Sequence, residues 1–340
     1  MRLYFCTYFD HKYLAYGLAL YQSLVRVGGQ QLTLFVLCLD DITFDSLQKL
    51  SLPGVSLIRL SHLEQKYPSL ATARKNRSLT EYYFTLTPVL PSYLLAQNPE
   101  IELLAYVDAD LYFYSALDPI YGELGDGSIL IVPHRRAGRP TYNVGMLVFR
   151  NDEVGRECLG WWRERCLEWC YHRHEAGKFA DQGYLEDWPS RFRDVVVSQH
   201  KGVGFAPWNA AQHELTVRAG CVFVDSDPLI FYHFGAVRMT RSCLVRHNLP
   251  FYSTRMTRAL KNLVYAPYVR ALRSAVAQAK VAPIPDVDCE EPKSFKRSLS
   301  RELFFARLVI IGPLLIEVDY GTLGPRLAKF RKRILGLFAS

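Results

Sequence analysis

Two aspartates lie one residue apart at the end of an apolar stretch. The run "LLAYVDADLYFY" covers residues 103–114 and places Asp108 and Asp110 directly after five residues typical of a buried strand. Side chains two positions apart in an extended segment point to the same side, so both carboxylates can converge on one cation. Hard oxygen ligands favour Mg²⁺ or Mn²⁺ over zinc. The pair could also be a surface turn or a helix cap, but the apolar and aromatic residues on both sides argue against a turn.

The surrounding chain alternates between strand patterns and helix patterns. Apolar positions at helical spacing over 13–27 predict a helix that stops at the glycines that follow, and 153–174 is predicted as a second helix. The segment 221–234 is predicted as a hairpin about the turn 225–228. Short apolar runs rich in aromatic and β-branched residues predict buried strands at 3–9, 32–40, 55–60, 103–107, 128–134, 142–150 and 195–200.

A possible capping box opens another helix before the aspartate pair. Ser78 is followed three residues later by Glu81, and we expect Pro88 and Pro91 to kink or end the helix. Together these patterns predict an α/β fold with a mostly parallel sheet flanked by helices over 1–250, followed by a helical extension over 251–340. In such sheets ligands gather at the carboxyl ends of the strands, where the aspartates lie.

Composition and charge bound the classes of function. The chain has 340 residues, of which 49% are hydrophobic and 22% charged, so it is long enough for a full core. Residues 293–340 contain ten Lys and Arg against three Asp and Glu, and therefore hold most of the net charge of +8. A nearly neutral body argues against nucleic acid as the main ligand. The eight cysteines are scattered among apolar stretches, which favours free thiols and a cytoplasmic location. No apolar run approaches the roughly 20 residues that span a bilayer.

Four stretches, in order, resemble one enzyme family. "YVDADLYFY" looks like the Asp-x-Asp motif of nucleotide-sugar glycosyltransferases with the GT-A (Rossmann-like, nucleotide-diphospho-sugar transferase) fold. "YNVGMLVFR", "ADQGYL" and "FYHFGAVR" are similar to the Phe-Asn-Ser/Ala-Gly, Asp-Gln and His-Phe-x-Gly segments of glycosyltransferase family 8 and its relatives. The resemblance covers about residues 2–240. The family's His-x-x-Gly-x-x-Lys-Pro ending is absent, and Arg238 stands near the place of its lysine.

The resemblance implies roles for individual residues. Asp108, Asp110 and His233 would bind Mn²⁺ or Mg²⁺, which bridges the diphosphate of a nucleotide-sugar donor, most simply a UDP-sugar. Asp181 would contact hydroxyls of the donor sugar, with Gln182 beside the anomeric carbon as the catalytic pair. Several alternatives stay open: His233 as a buried structural histidine, Asp181 as a helix cap, the aromatic residues after the first strand as core, and Arg77 as an exposed arginine in a solvated loop. Further donor contacts would come from Thr7, Tyr8, Phe9, Asp10 and Tyr13 for the nucleoside, Asn76 and Arg77 for phosphate or base, Asn143 for the sugar, and Arg238 for the diphosphate, with Trp208 and Asn209 on the acceptor side.

The sequence therefore predicts a metal-dependent, retaining glycosyltransferase that acts on a glycan or lipid-linked glycan. A sugar-phosphate nucleotidyltransferase would want a glycine-rich, basic loop after the first strand, and "TYFDHKYL" is not one. A non-catalytic scaffold of a glycan-assembly complex is the other alternative, and the intact Asp-x-Asp argues against it. We decline a zinc site at Cys166, Cys170, His172 and His174, because the cysteines continue an apolar helical stripe.

The basic tail carries a separate hypothesis. Residues 298–316 and 322–338 each read as helices with apolar residues on one side and Arg or Lys on another. Such helices can lie on an anionic membrane surface, which would place the protein at the inner face of the membrane. The alternative is that they dock on the catalytic domain or on a second subunit of a homo-oligomer.

Overall fold

A mixed seven-stranded sheet forms the centre of the fold. In the computed structural model, described here for residues 3–29, 32–138, 140–235, 237–239 and 245–281, its strand order is β3-β2-β1-β4-β7-β6-β8. Six of these strands run in one direction and β7 runs against them, since it pairs antiparallel with both β4 and β6. The strands are β1 Leu3–Phe9, β2 Leu32–Cys38, β3 Val55–Arg59, β4 Leu103–Val107, β5 Leu111–Phe113, β6 Ile129–Pro133, β7 Tyr142–Arg150, β8 Val195–Val197, β9 Leu215–Arg218, β10 Cys221–Val224, β11 Asp227–Pro228 and β12 Phe231–His233.

Helices flank this sheet. Helix α1 packs on α9, and α5 packs on α7. The side chains of Asp40 and Asp152 cap α2 and α7 by accepting from main-chain N–H groups. The helices are α1 Leu14–Gly28, α2 Asp41–Leu50, α3 Leu60–Lys66, α4 Ser69–Asn76, α5 Leu79–Gln97, α6 Asp118–Leu124, α7 Glu153–Glu168, α8 Trp188–Arg191 and α9 Ala266–Val281, with shorter helical turns at His11–Tyr13, Gln182–Asp187, Ala210–Gln212, Leu249–Tyr252 and Leu260–Tyr265.

Several predicted elements are confirmed with small shifts. Helix α1 ends at Gly28, and Gly29 then adopts a φ of 66°, which a glycine takes without strain. The capping box of Ser78 and Glu81 is formed in full at the start of α5. Of the two expectations for Pro88 and Pro91, the end of the helix is wrong, because α5 continues through both of them to Gln97, whereas a kink stays a prediction. Its buried face, which includes both prolines, packs in the core and holds the helix together.

The predicted helix over 153–174 is too long. Helix α7 ends at Glu168, and Trp169 is already extended. Two of the last main-chain carbonyls of α7, those of Cys166 and Leu167, accept hydrogen bonds from the guanidinium of Arg77, each at 2.7 Å. A guanidinium at this end of a helix satisfies orphan acceptors and complements the helix dipole.

The predicted hairpin over 221–234 is right only in its first half. Strands β10 and β11 pair about the turn, but β12 leaves them and pairs antiparallel with β5. In that register His233 lies opposite Leu111, the residue after Asp110. The pairing therefore places the histidine, which is distant in the sequence, next to the aspartate pair.

A second compact unit of the chain is described only at 238–239 and 245–246, where β13 Arg238–Met239 pairs antiparallel with β14 Val245–Arg246. The whole of the basic tail (293–340) lies outside the described residues, so the membrane and oligomer hypotheses stay predictions. In the part of the chain that is described, no helix is long and apolar enough to cross a membrane, and the six cysteines are free thiols. The proposed boundary at residue 250 also stays a prediction.

Candidate active site

Three side chains meet where β4 and β12 end. The Nε2 atom of His233 lies 3.2 Å from Oδ1 of Asp110 and 3.7 Å from Oδ2 of Asp108. One ligand atom from each of the three residues lies within 4.8 Å of the others, and within the described ranges no other His, Cys, Asp and Glu side chains form such a group. Tyr106 donates to Oδ1 of Asp108 at 2.7 Å, which orients that carboxylate.

The donor set fits a hard divalent cation. Two carboxylates and one imidazole offer oxygen and nitrogen ligands of the kind that Mn²⁺ and Mg²⁺ accept. Burial raises the pKa of Asp108, the imidazole of His233 opposes this rise, and the charge of Asp110 adds to it. Burial lowers the pKa of His233, but the charges of Asp110 and Asp108 outweigh burial, so the pKa is raised overall. Such crowding of negative charge is relieved when a cation binds.

A cleft of about 270 Å³ opens beside these residues. One wall carries Asp181 and Gln182, which begin the helical turn after α7. Aromatic rings line two sides, and flat rings of this kind can cover the face of a sugar. The aromatic residues are Trp208 and Tyr252, whose ring centroids are 5.7 Å apart, and Phe84, His172 and Phe179.

Asp181 is the most deeply buried acid of the cleft. Its side chain is 2% exposed, and its Oδ2 has no hydrogen-bond partner among the described residues. Burial raises the pKa of Asp181 to about 7, a hydrogen bond with Thr87 opposes the rise, and the charge of Asp108 adds to it. The capping alternative is wrong, since Asp181 makes no side-chain cap bond. An unsatisfied buried oxygen costs about 1–3 kcal/mol, so it indicates a place for a ligand hydroxyl.

Sequence relatives decide the family. The uncharacterized protein YfnF of Bacillus subtilis (strain 168) is 36% identical over 252 residues, which cover 69% of this chain and 82% of that protein. The chain belongs to the YfnF family. The uncharacterized protein YfnD of the same strain is 29% identical over 265 residues, covering 74% of this chain and 83% of the relative. No family model matches the chain.

Among solved structures, the galactosyltransferase LgtC in complex with donor and acceptor sugar analogues is similar in fold. The TM-score is 0.51 at 13% identity, and the match covers 80% of this chain and 96% of LgtC. The predicted α/β fold of the GT-A type is therefore confirmed for this member of the YfnF family.

The predicted nucleoside residues take different positions in this family member. Thr7 is fully buried and Phe9 is 4% exposed, so both belong to the core. Tyr8 bonds Thr87 at 3.0 Å, and burial, followed by the charges of Asp181 and Asp108, raises the pKa of Tyr8. The tyrosine is thus linked to the cleft through Thr87, which hydrogen-bonds to Asp181. Asp10 and Tyr13 lie after β1, where Asp10 caps a helical turn by accepting from Lys12.

The other predicted contacts lie on several different elements. Asn76 is exposed at the end of α4, and the guanidinium of Arg77 is buried against α7, so the structure places it at a helix end. Arg238 lies in the second unit. Trp208 is in the cleft, with its ring centroid 5.1 Å from that of His233. Asn209 is 1% exposed and does not line the cleft, and its side chain bonds the main chain of Ala206, Gly204 and His134.

Sequence reasoning missed several lining residues of the cleft, among them His134, Arg136 and Tyr252, and it missed Thr87, which hydrogen-bonds to Asp181. Arg136 is exposed and is the one Arg or Lys among the described residues that line the cleft. No pattern in the sequence links these positions to the aspartate pair. The "HRRAGRP" segment between two predicted strands was the one available signal, because a basic loop at a strand end can face a phosphate.

Gly145 is expected to be indispensable for this arrangement. A Cβ added there would lie 2.6 Å from Nδ1 of His233 and 2.6 Å from Oδ1 of Asn143, closer than any real contact. We expect Gly145→Ala to displace the histidine and to weaken Mn²⁺ binding by about tenfold or more, measured by isothermal titration calorimetry. Gly160→Ala is the matched control, since its Cβ meets nothing within 4 Å. Equal Mn²⁺ affinity in both variants would show that the close packing at Gly145 is unimportant.

Proposed function

We propose that this protein is a metal-dependent glycosyltransferase that moves a sugar from a nucleotide-diphosphate donor to a hydroxyl of a glycan or lipid-linked glycan. The observation that carries the proposal is the convergence of Asp108, Asp110 and His233 at the strand ends of a GT-A fold, beside a cleft that contains Asp181 and Gln182. The structural relative LgtC, solved with donor and acceptor sugar analogues, supports the same class of ligand.

Each group has a task in such a transfer. Asp108, Asp110 and His233 would hold Mn²⁺ or Mg²⁺, which neutralises the charge that develops on the departing diphosphate. The unsatisfied Oδ2 of Asp181 would accept from a hydroxyl of the donor sugar. Gln182 would lie next to the reacting carbon and stabilise developing charge through its amide. Trp208 and Tyr252 would cover the face of the acceptor sugar.

The first test is a screen of nucleotide sugars. We expect at least one, with UDP-sugars the leading candidates, to raise the melting temperature in the presence of Mn²⁺ and to be hydrolysed slowly without an acceptor. Removing the metal with EDTA should abolish both effects, and adding Mn²⁺ back should restore them. Absence of any nucleotide-sugar effect, with intact folding, would contradict the proposal.

The second test concerns the stereochemistry of transfer. Gln182 is a poor nucleophile, and among the described cleft residues no carboxylate beyond Asp108 and Asp181 is available as a base for inverting attack. We therefore expect the product to retain the anomeric configuration of the donor, through departure and attack on the same face of the sugar. NMR of the first-formed product gives the result directly, and an inverted anomer would exclude this mechanism.

A further inference from the structure

A chain of hydrogen bonds runs from the main chain to the metal-binding histidine. Nδ1 of His134 contacts the carbonyl of Pro140 at 2.9 Å, and its Nε2 contacts Nδ2 of Asn143 at 3.1 Å. The other end of that amide, Oδ1 of Asn143, contacts Nδ1 of His233 at 3.2 Å. His233 then presents Nε2 to the two aspartates.

The direction of every bond in this chain follows from two main-chain groups. The N–H of Gly145 donates to Oδ1 of Asn143 at 2.8 Å, and an N–H requires an acceptor. The amide oxygen of Asn143 therefore faces Gly145 and His233, and its NH₂ faces His134. The carbonyl of Pro140 can only accept, so Nδ1 of His134 carries a proton, and Nε2 must be bare to accept from Asn143.

The neutral state of His134 agrees with its surroundings. Its side chain is buried, and burial lowers the pKa of His134 to about 4, so the ring stays neutral at physiological pH. It also packs edge-on against Trp208 at a centroid distance of 5.4 Å, which fixes the plane of the ring.

We propose that Asn143 and His134 are positioning residues that hold His233 in the tautomer with its proton on Nδ1, so that the lone pair of Nε2 is free for the cation. The proposal rests on the metal site of the proposed function. Oδ1 of Asn143, already bonded by Gly145, is left to accept from Nδ1 of His233.

This chain of hydrogen bonds, the relay from Pro140 through His134 and Asn143 to His233, opposes the preference of His233 for a proton on Nε2. Oδ1 of Asp110 is 3.2 Å from Nε2 of His233, and a carboxylate at that distance favours a proton on Nε2. A proton there would occupy the atom that must bind the metal. The acceptor at Nδ1 offsets this preference, as hydrogen bonds to metal-binding histidines commonly do.

The first experiment is calorimetric titration with Mn²⁺ alone. We expect Asn143→Ala to weaken binding by about ten- to a hundredfold, the usual effect of losing such a partner. Asn143→Asp keeps an acceptor for both Gly145 and His233, and its second oxygen can accept from Nε2 of His134 once that ring takes up a proton, so the Mn²⁺ affinity should not fall more than a few fold below that of the original chain. Equal affinity of the alanine variant and the original chain would overturn the proposal, as would an aspartate variant as weak as the alanine variant.

The second experiment needs no metal and uses nitrogen NMR of ¹⁵N-histidine-labelled protein at a pH where His233 is neutral. The original chain is expected to show Nδ1 protonated and Nε2 bare, and Asn143→Ala should move the proton to Nε2. A proton on Nε2 in the original chain would overturn the proposal. If the NMR result holds and the original chain does not bind Mn²⁺, the metal site of the proposed function fails and the relay stands. If the alanine variant cannot be purified, His134→Phe is the substitute. It keeps an aromatic ring but removes the acceptor for the NH₂ of Asn143, so it should weaken Mn²⁺ binding.

Discussion

Asp110→Asn is expected to lower metal-dependent turnover of the donor sugar by about a hundred- to a thousandfold, because it removes one charge from the cation site at the point where the leaving group develops charge. The fold should persist, since Asp110 holds the adjoining strand through its carbonyl, which accepts from Phe234 at 3.0 Å whatever the side chain is. Turnover is measured as nucleotide released at limiting Mn²⁺, and folding by circular dichroism and urea unfolding.

The control for this variant is Asp126→Asn. Asp126 is exposed in the loop before β6 and is distant in the chain from the aspartate pair. The Asp126→Asn substitution also removes one negative charge, but outside the cleft, so the turnover of this variant should match that of the original chain. Full turnover of Asp110→Asn at limiting Mn²⁺ would exclude this residue as a metal ligand.

Asp181→Asn is expected to raise the free energy of unfolding at alkaline pH while lowering turnover by about a hundredfold. The pKa of Asp181 in the folded protein is about 7, against an ordinary value of 3.8. The folded state therefore binds the proton more tightly than the unfolded state does, and stability falls as the pH rises between these two values. A shift of this size corresponds to about 4 kcal/mol, which the neutral amide does not lose.

The measurement is urea unfolding at pH 5 and pH 8.5, for the original chain and the variant. Other groups titrate in both proteins, so the difference between their pH dependences reports on Asp181. Asp187→Asn is the matched control, because Asp187 lies on the same helical turn with a side chain that is 60% exposed. Identical pH dependence in the original chain and Asp181→Asn would mean that the buried acid is not destabilising.

Local patterns were sufficient to predict the sheet and the helix starts. Alternation of apolar runs with helical spacing gave β1, α1 and β2, and the capping box gave the start of α5, because these signals act over a few residues. The end of α7 was not predictable in this way. It depends on Arg77, which is 89 residues away from Cys166 in the sequence.

The residues of the candidate site likewise fall into those that a local sequence pattern could predict and those placed by distant contacts. The aspartate pair was visible because both ligands follow one strand, whereas the position of His233 depends on the pairing of β12 with β5. The resemblance to a family supplied that residue, and no periodicity would have done so. His134 and Thr87 were missed because their roles arise from contacts with side chains on other elements, Asn143 and Asp181.

The pairing of β6 with β7 has a consequence for the evolution of this site. Along β6, Ile131 faces Leu147, yet the next residue, Val132, faces Asn143, so residues 144–146 are extra on β7. The extra residues include Gly145 and follow Asn143, and both of these residues lie against His233. Since side chains in a strand alternate, losing one residue here would turn Asn143 to the opposite side. The number of residues between Asn143 and Leu147 therefore matters to the site as much as their identity does. We expect relatives with a gap at this point to lack the proposed metal site even where both aspartates remain.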